Sequence, residues 1–132
     1  MDASRPYHPD GTLPSELAIW VFGSNLLGRH AGGAARVAAE RFGARDGVAY
    51  GATGDAYAIP TVGRYGERLP LEQVGEEVAA FITYARLHSV SRFFVTRVGC
   101  GIAGFTDADI APLFREAPAN CSLPEAWRAQ LG

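Results

Sequence analysis

Apolar residues along the chain fall into two spacings, and each predicts a different kind of element. Residues 17–22 (LAIWVF) form a continuous apolar run, too short for a helix and rich in strand formers, which predicts a strand buried on both faces. GSNLLGRHAGG follows, and then AARVAAERF, where the alanines, Val37 and Phe42 make an apolar helical face opposite Arg36, Glu40 and Arg41, closed by Gly43. Two short strands are expected near residues 48–50 and 56–60, joined by a turn at 52–55, with Pro60 at an edge or bend. Leu71, Val74, Val78, Phe81, Ile82 and Ala85 recur at spacings of three and four, predicting an amphipathic helix over 71–87. RFFVTRV at 92–98 reads as a second buried strand, followed by GCGIAGF and a helix over 107–114 capped by Thr106, with Asp109 three residues on. The tail past Pro118 offers a short strand and one helical turn around Trp127. Residues 1–15, with three prolines and no periodicity, read as a flexible or loosely docked lead ahead of one domain over 16–132.

Strand, glycine loop and helix thus occur twice in succession. Strands alternating with helices predict an α/β fold with a mixed, mainly parallel sheet flanked by helices. In such sheets ligands bind beyond the carboxyl ends of the strands, where both glycine loops must lie.

Composition narrows the function classes. The 132 residues are 48% hydrophobic and 20% charged, enough for one core. A net charge of −2 supplies no general drive toward nucleic acid or an anionic membrane. No apolar stretch approaches the roughly 18 residues of a spanning helix, and the polar start lacks the pattern of a signal peptide, so a cytoplasmic location is expected. Cys100 and Cys121 have no CxxC spacing and read as free thiols, with no metal site and no cofactor expected.

The chemistry is expected at the two loops. Residues 99–104 match G-x-G-x-x-G between a strand and a helix, but the motif lies late in the chain and no acidic residue follows on a second strand, which excludes a Rossmann reading. Its physics remains: unpaired N–H groups and a helix dipole favour an anion. Two such loops on one sheet edge predict a cleft that holds a diphosphate from both sides. Asn25 and His30 have the chemistry to bond sugar hydroxyls or hold a water, or else form a turn and face solvent. Phe105 suits stacking on a ribose or base, or a core contact. Cys100 has the position of an activated nucleophile but no neighbouring histidine. Asp107 and Asp109 complement their helix dipole, and Asp107 is also placed to act as a general base. Arg64 and Arg68 lie in a segment, GRYGERLP, suited to closing over phosphates or to a solvated loop.

FGSNLLGRHAGGAARVAAERFGA, then AYAIPT, then FFVTRVGCGIAGFTDADIAPLF together resemble a family of small macrodomain-like proteins of phages and bacteria, over roughly residues 19–127. More distantly the chain resembles the macrodomains that bind ADP-ribose, in particular the branch that removes it from acidic side chains or DNA. The resemblance implies a three-layer α/β/α fold and a site for ADP-ribose or a related nucleotide diphosphate, either hydrolysing an ADP-ribosyl bond or capturing the nucleotide as a sensor or sponge. It implies ligand contacts from Ser24, Asn25, Gly28, Gly32, Gly33 and Ala34, and from Gly99, Cys100, Gly101, Ile102, Ala103, Gly104 and Phe105. Catalytic candidates are Asn25, His30 and Asp107, and the partners are the nucleotide and an ADP-ribosylated macromolecule. Two positions depart from that branch: Val62 stands where its catalytic lysine follows YAIPT, and Ala103 where its catalytic aspartate follows the G-C-G turn. An acidic residue after an early strand commonly holds adenine in macrodomains, and residues 1–15 show no evident counterpart.

Overall fold

Side-chain alternation on the central strands builds two cores, one on each face of a sheet. The computed structural model describes residues 5–131 and contains, among them, β1 (Tyr7–His8), β2 (Ile19–Asn25), β3 (Gly51–Thr53), β4 (Ala56–Val62), β5 (Phe93–Val95) and β6 (Cys121–Pro124). The strand order is β1-β6-β5-β2-β4-β3, with every neighbouring pair parallel except the β3–β4 hairpin. The helices are α1 (Gly33–Arg41), α2 (Leu71–Leu87), α3 (Asp107–Ile110) and α4 (Arg128–Leu131), with single 3-10 turns at Ala111–Phe114 and Glu125–Trp127.

On β2, Val21 joins a core with Tyr57 and Ile59 of β4, Phe93 and Val95 of β5, and the apolar stripe of α2. Its neighbours Trp20 and Phe22 point the other way, to Ala56, Ala58, Phe94 and the alanine face of α1. Alanine at positions 35 and 38 lets α1 approach closely, and Trp20 lies flat between Phe42 and Phe94, with ring centroids 4.9 and 5.4 Å away. Each fully buried Phe or Val here contributes about 1.5–3 kcal/mol of transfer free energy. Both central strands end at the same rim, where Asn25 is in register with Val62.

The α2 range matches the periodicity residue for residue. Elsewhere tertiary contacts redraw the boundaries. The strand expected at 48–50 forms instead at Gly51–Thr53, because the preceding segment is tied to the first glycine loop. β5 stops at Val95: the Thr96 amide makes the last ladder bond, to the Val21 carbonyl at 3.0 Å, its hydroxyl bonds the same carbonyl at 2.8 Å, and the chain then turns as the Val98 amide donates back to the Thr96 carbonyl at 2.7 Å. The helix over 107–114 tightens to 3-10 geometry after Ile110, where Pro112 has no N–H to donate.

The lead over 1–15, expected to be flexible or loosely docked, is docked through an edge strand and side-chain contacts where it is described. Residues 1–4 lie outside the described residues, but Tyr7 and His8 pair with Leu123 and Pro124 as an edge strand. Arg5 bonds the Phe114 and Arg115 carbonyls at 3.1 and 2.7 Å, and His8 stacks on Phe94 at 3.7 Å. No helix among the described residues is long and apolar enough to cross a membrane.

Candidate functional site

The first glycine loop runs from the end of β2 to α1, and Asn25 shapes its start. The Asn25 amide donates to the Arg29 carbonyl at 2.9 Å and its oxygen accepts from the Arg29 amide at 3.1 Å, closing the loop on itself. Gly28, at φ +70°, presses directly on Gly47, where a Cβ would come within 2.6 Å of backbone. Residues 45–49 brace the loop from behind: Gly47 donates to the Gly28 carbonyl, Ser24 Oγ donates to the Ala49 carbonyl, and His30 bonds Arg45 and Asp46.

This bracing leaves the start of α1 open. Its N-cap is Gly32, no side chain caps it, and its first turn holds no acidic residue. The N–H groups of Gly33, Ala34 and Ala35 therefore lack both an intrahelical acceptor and a competing carboxylate. A Cβ on Gly32 or Gly33 would meet nothing within 4 Å, so the space before these amides is free.

The second loop leaves β5 through Thr96 and Arg97. Gly99 (φ +77°) and Gly104 (φ +80°) allow the chain to fold back, with Phe105 donating to the Gly99 carbonyl at 2.9 Å and Gly104 to that of Gly101 at 3.0 Å. Residues 101–103 form the tip, and Ile102 is 91% exposed. The second loop meets the end of β2 at Gly23 and Gly99, where a Cβ on Gly23 would lie 3.2 Å from the Gly99 nitrogen.

Between them lies a cleft of about 270 Å³ lined from the first loop by Gly32 to Ala35, from the second by Gly99 and Gly101 to Ala103, and at its floor by Gly23, Ser24, Thr61 and Thr96. Arg29 and Arg97 are the charged residues in this lining; it contains no carboxylate. Among the described residues Arg29 makes no ion pair. Free amides and arginines thus face one cleft, a lining whose chemistry is complementary to an anion.

Arg97 is oriented by a cluster behind the second loop. Asp107 accepts from Arg97 Nε and Nη2 at 3.0 and 2.8 Å, from Trp127 Nε1 at 2.8 Å, and from the Cys100 thiol at 3.5 Å. Desolvation pushes the Asp107 carboxyl upward, but the bonds from Arg97 and Trp127 and the Arg97 charge outweigh it and hold the group below the usual carboxylate range. Burial, and then the Asp107 charge, push the Cys100 thiol up to about 12, so it stays protonated at neutral pH and is no activated nucleophile.

Of the residues expected at the site, Ser24, Asn25, Gly32, Gly33, Ala34, Gly99, Gly101, Ile102 and Ala103 line this one cleft. Several others do not. Gly28 is used for close packing on Gly47, and Gly104 for a turn whose carbonyl accepts from Arg68 at 3.2 Å. Phe105 is buried in the core beneath the Arg68 guanidinium, which lies 4.7 Å from the ring centroid. Arg68 is thereby held against the second loop. Cys100 faces a neighbouring cleft instead.

Two catalytic candidates are also displaced. His30 is neither at the cleft nor facing solvent: its ring is buried edge-on to Phe22, with Nε2 2.9 Å from the Arg45 carbonyl. Asp107 does not line the cleft, and its oxygens are occupied by three donor residues, so it is not placed as a general base. Asn25 reaches the cleft with its side chain committed to the loop.

Arg97, Thr96, Thr61 and Arg29 belong to the site and were not singled out from the sequence. The position of Arg97, a charge near the end of the apolar run 92–98 and two residues before Gly99, is the available signal. A second cleft of about 340 Å³ adjoins the first and shares Ala34, Thr96, Arg97 and Gly101 with it. Its walls are the apolar surfaces of Trp20, Val37, Phe94 and Leu13, with Asp10 at the lead. Compared with known proteins, the chain matches no family model, no curated protein and no solved structure.

Proposed function

We propose that this chain is a capture module for ADP-ribose or a related nucleotide diphosphate, with a three-layer α/β/α macrodomain-like architecture, acting as a sensor or sponge. One observation carries the reading: two separate strand-to-helix loops offer unpaired backbone amides to a single cleft whose charged lining is arginine alone. The diphosphate lies between the start of α1 and the tip at 101–103, and the nucleoside extends into the apolar cleft along Trp20 and Phe94. Asp10, two residues beyond β1, supplies there the acidic group that macrodomains commonly place after an early strand.

Capture is favoured over hydrolysis by what faces the ligand. Val62 and Ala103, which stand where the hydrolytic branch has lysine and aspartate, both line the cleft, and neither can attack or move a proton. Isothermal calorimetry with ADP-ribose, followed by chromatography of the incubated ligand and of ADP-ribosylated protein and DNA, tests both parts. Binding with the ligand and both substrates unchanged is expected. Absence of binding defeats the nucleotide reading, and free ADP-ribose released from a modified substrate replaces capture with hydrolysis.

A further inference from the structure

Arg97 stands on the seam between the two clefts and lines both. Its guanidinium is held unequally. Nε and Nη2 form a fork on Asp107, whose side chain is 24% exposed, whereas Nη1 reaches only Asp10 Oδ2 at 3.4 Å, and that carboxylate is 60% exposed. The first pairing is bidentate and sheltered; the second is long, single and solvated, the class of ion pair that contributes little. Asp10 belongs to the segment 9–13, which walls the adjoining cleft.

Resting on the reading of the cleft as a diphosphate site, we infer that Arg97 is the exchangeable side-chain partner of the bound anion: a phosphate oxygen takes Nη1 from Asp10 while Asp107 keeps the other edge in place, and the wall formed by residues 9–13 shifts as its tether is lost. Two observations support this coupling: Nη1 is the guanidinium nitrogen that Asp107 leaves untaken on a residue lining both clefts, and the carboxylate now on it is the more distant and more exposed of its two partners. A phosphate placed there repels the Asp10 carboxylate. Occupancy of one cleft thereby changes the shape of the other. Asp107 is the positioning residue of the pair, Arg97 the binding one.

Titration of the ¹⁵N-labelled chain with inorganic pyrophosphate, with ADP-ribose in parallel, tests the exchange by NMR. In the wild type, pyrophosphate is expected to move the amide signals of Gly33 to Ala35 together with those of Gly11 to Leu13. In Asp10→Asn, the signals of Gly11 to Leu13 should already lie at their anion-bound positions and move no further, and affinity for pyrophosphate, which lacks a nucleoside for Asp10 to hold, should rise about two- to fivefold because no carboxylate competes. Arg97→Gln should weaken pyrophosphate about tenfold to a hundredfold. Asp10→Asn keeps the inference testable if loss of the Arg97 fork unfolds the chain. Unchanged affinity in Asp10→Asn, static signals at Gly11 to Leu13, or no pyrophosphate binding overturns it. Pyrophosphate that gives the full response where ADP-ribose does not bind defeats the nucleotide reading and leaves the exchange standing.

Discussion

The two glycine loops look equivalent in sequence and are built on opposite plans. The first opens into a nine-residue helix with a glycine N-cap, no acidic first turn and free space before its amides. The second opens into a helix of four residues that is already closed: Thr106 accepts from the Asp109 amide at 3.2 Å, Asp109 accepts from that of Thr106 at 3.1 Å, and Asp107 adds a further acid. The dipole expected to act at both loops is therefore available only at α1, and the second loop contributes its tip amides and the orientation of Arg97. A glycine-rich turn marks where a backbone can approach a ligand; whether the following helix takes part depends on its cap.

The comparison breaks hardest at the buttress of the first loop. Gly28→Ala places a methyl within 2.6 Å of Gly47 at a left-handed φ, and should cost about 3 kcal/mol in urea unfolding. Gly104→Ala meets only Arg68, 4.0 Å away, and should cost about 1 kcal/mol for its φ alone. Behind the second loop, Asp107→Asn leaves the Arg97 fork without its charge and should cost about 2 kcal/mol at neutral pH. Because the folded-state pKa of Asp107 is depressed, its contribution is present above the ordinary value of 3.8 and is lost as pH falls through the folded value. Wild-type stability should accordingly fall more steeply than that of Asp107→Asn when denaturation is followed below about pH 4.

Converting one plan into the other sharpens the contrast. Gly32 is extended and unobstructed, so Gly32→Asp can cap α1 with its own carboxylate. It should leave stability unchanged or raise it by about 0.5 kcal/mol while weakening ADP-ribose at least about tenfold by calorimetry. Thr106→Ala should do the reverse, lowering stability by about 1 kcal/mol and leaving affinity within about twofold. A large affinity loss in Thr106→Ala would return the second helix to the site.

What the sequence made legible follows from how local each signal is. The stripe from Leu71 to Leu87 and the run around Trp20 depend on side chains within a few positions of one another; the helix forms over the expected residues, and the strand forms around the run but over 19–25 instead of 17–22. β1 was missed because two residues carry no period; its existence depends on Leu123 and Pro124, more than a hundred positions away. The glycines and alanines of the cleft were visible as backbone requirements, since open approach is a property of small residues themselves. Arg97 and Asp107 are harder: the choice for Asp107 between complementing its helix dipole and acting as a general base depends on its surroundings, and nothing local shows that Arg97, Trp127 and Cys100 occupy its oxygens. His30 escapes a local reading for the same reason, its ring being claimed by the Arg45 carbonyl on the far side of α1.

The parallel pairing of β1 with β6 also bears on how this molecule comes into being. During synthesis the stretch holding Asp10 is made early, yet the strand that receives β1 and the indole that anchors Asp107 arrive near residues 121–127. Until those late residues leave the ribosome, the segment that carries Asp10 has no strand to pair with and Asp107 lacks its indole partner. Such distant closure is slow compared with helix formation, and the half-made sheet exposes an unpaired edge in the meantime.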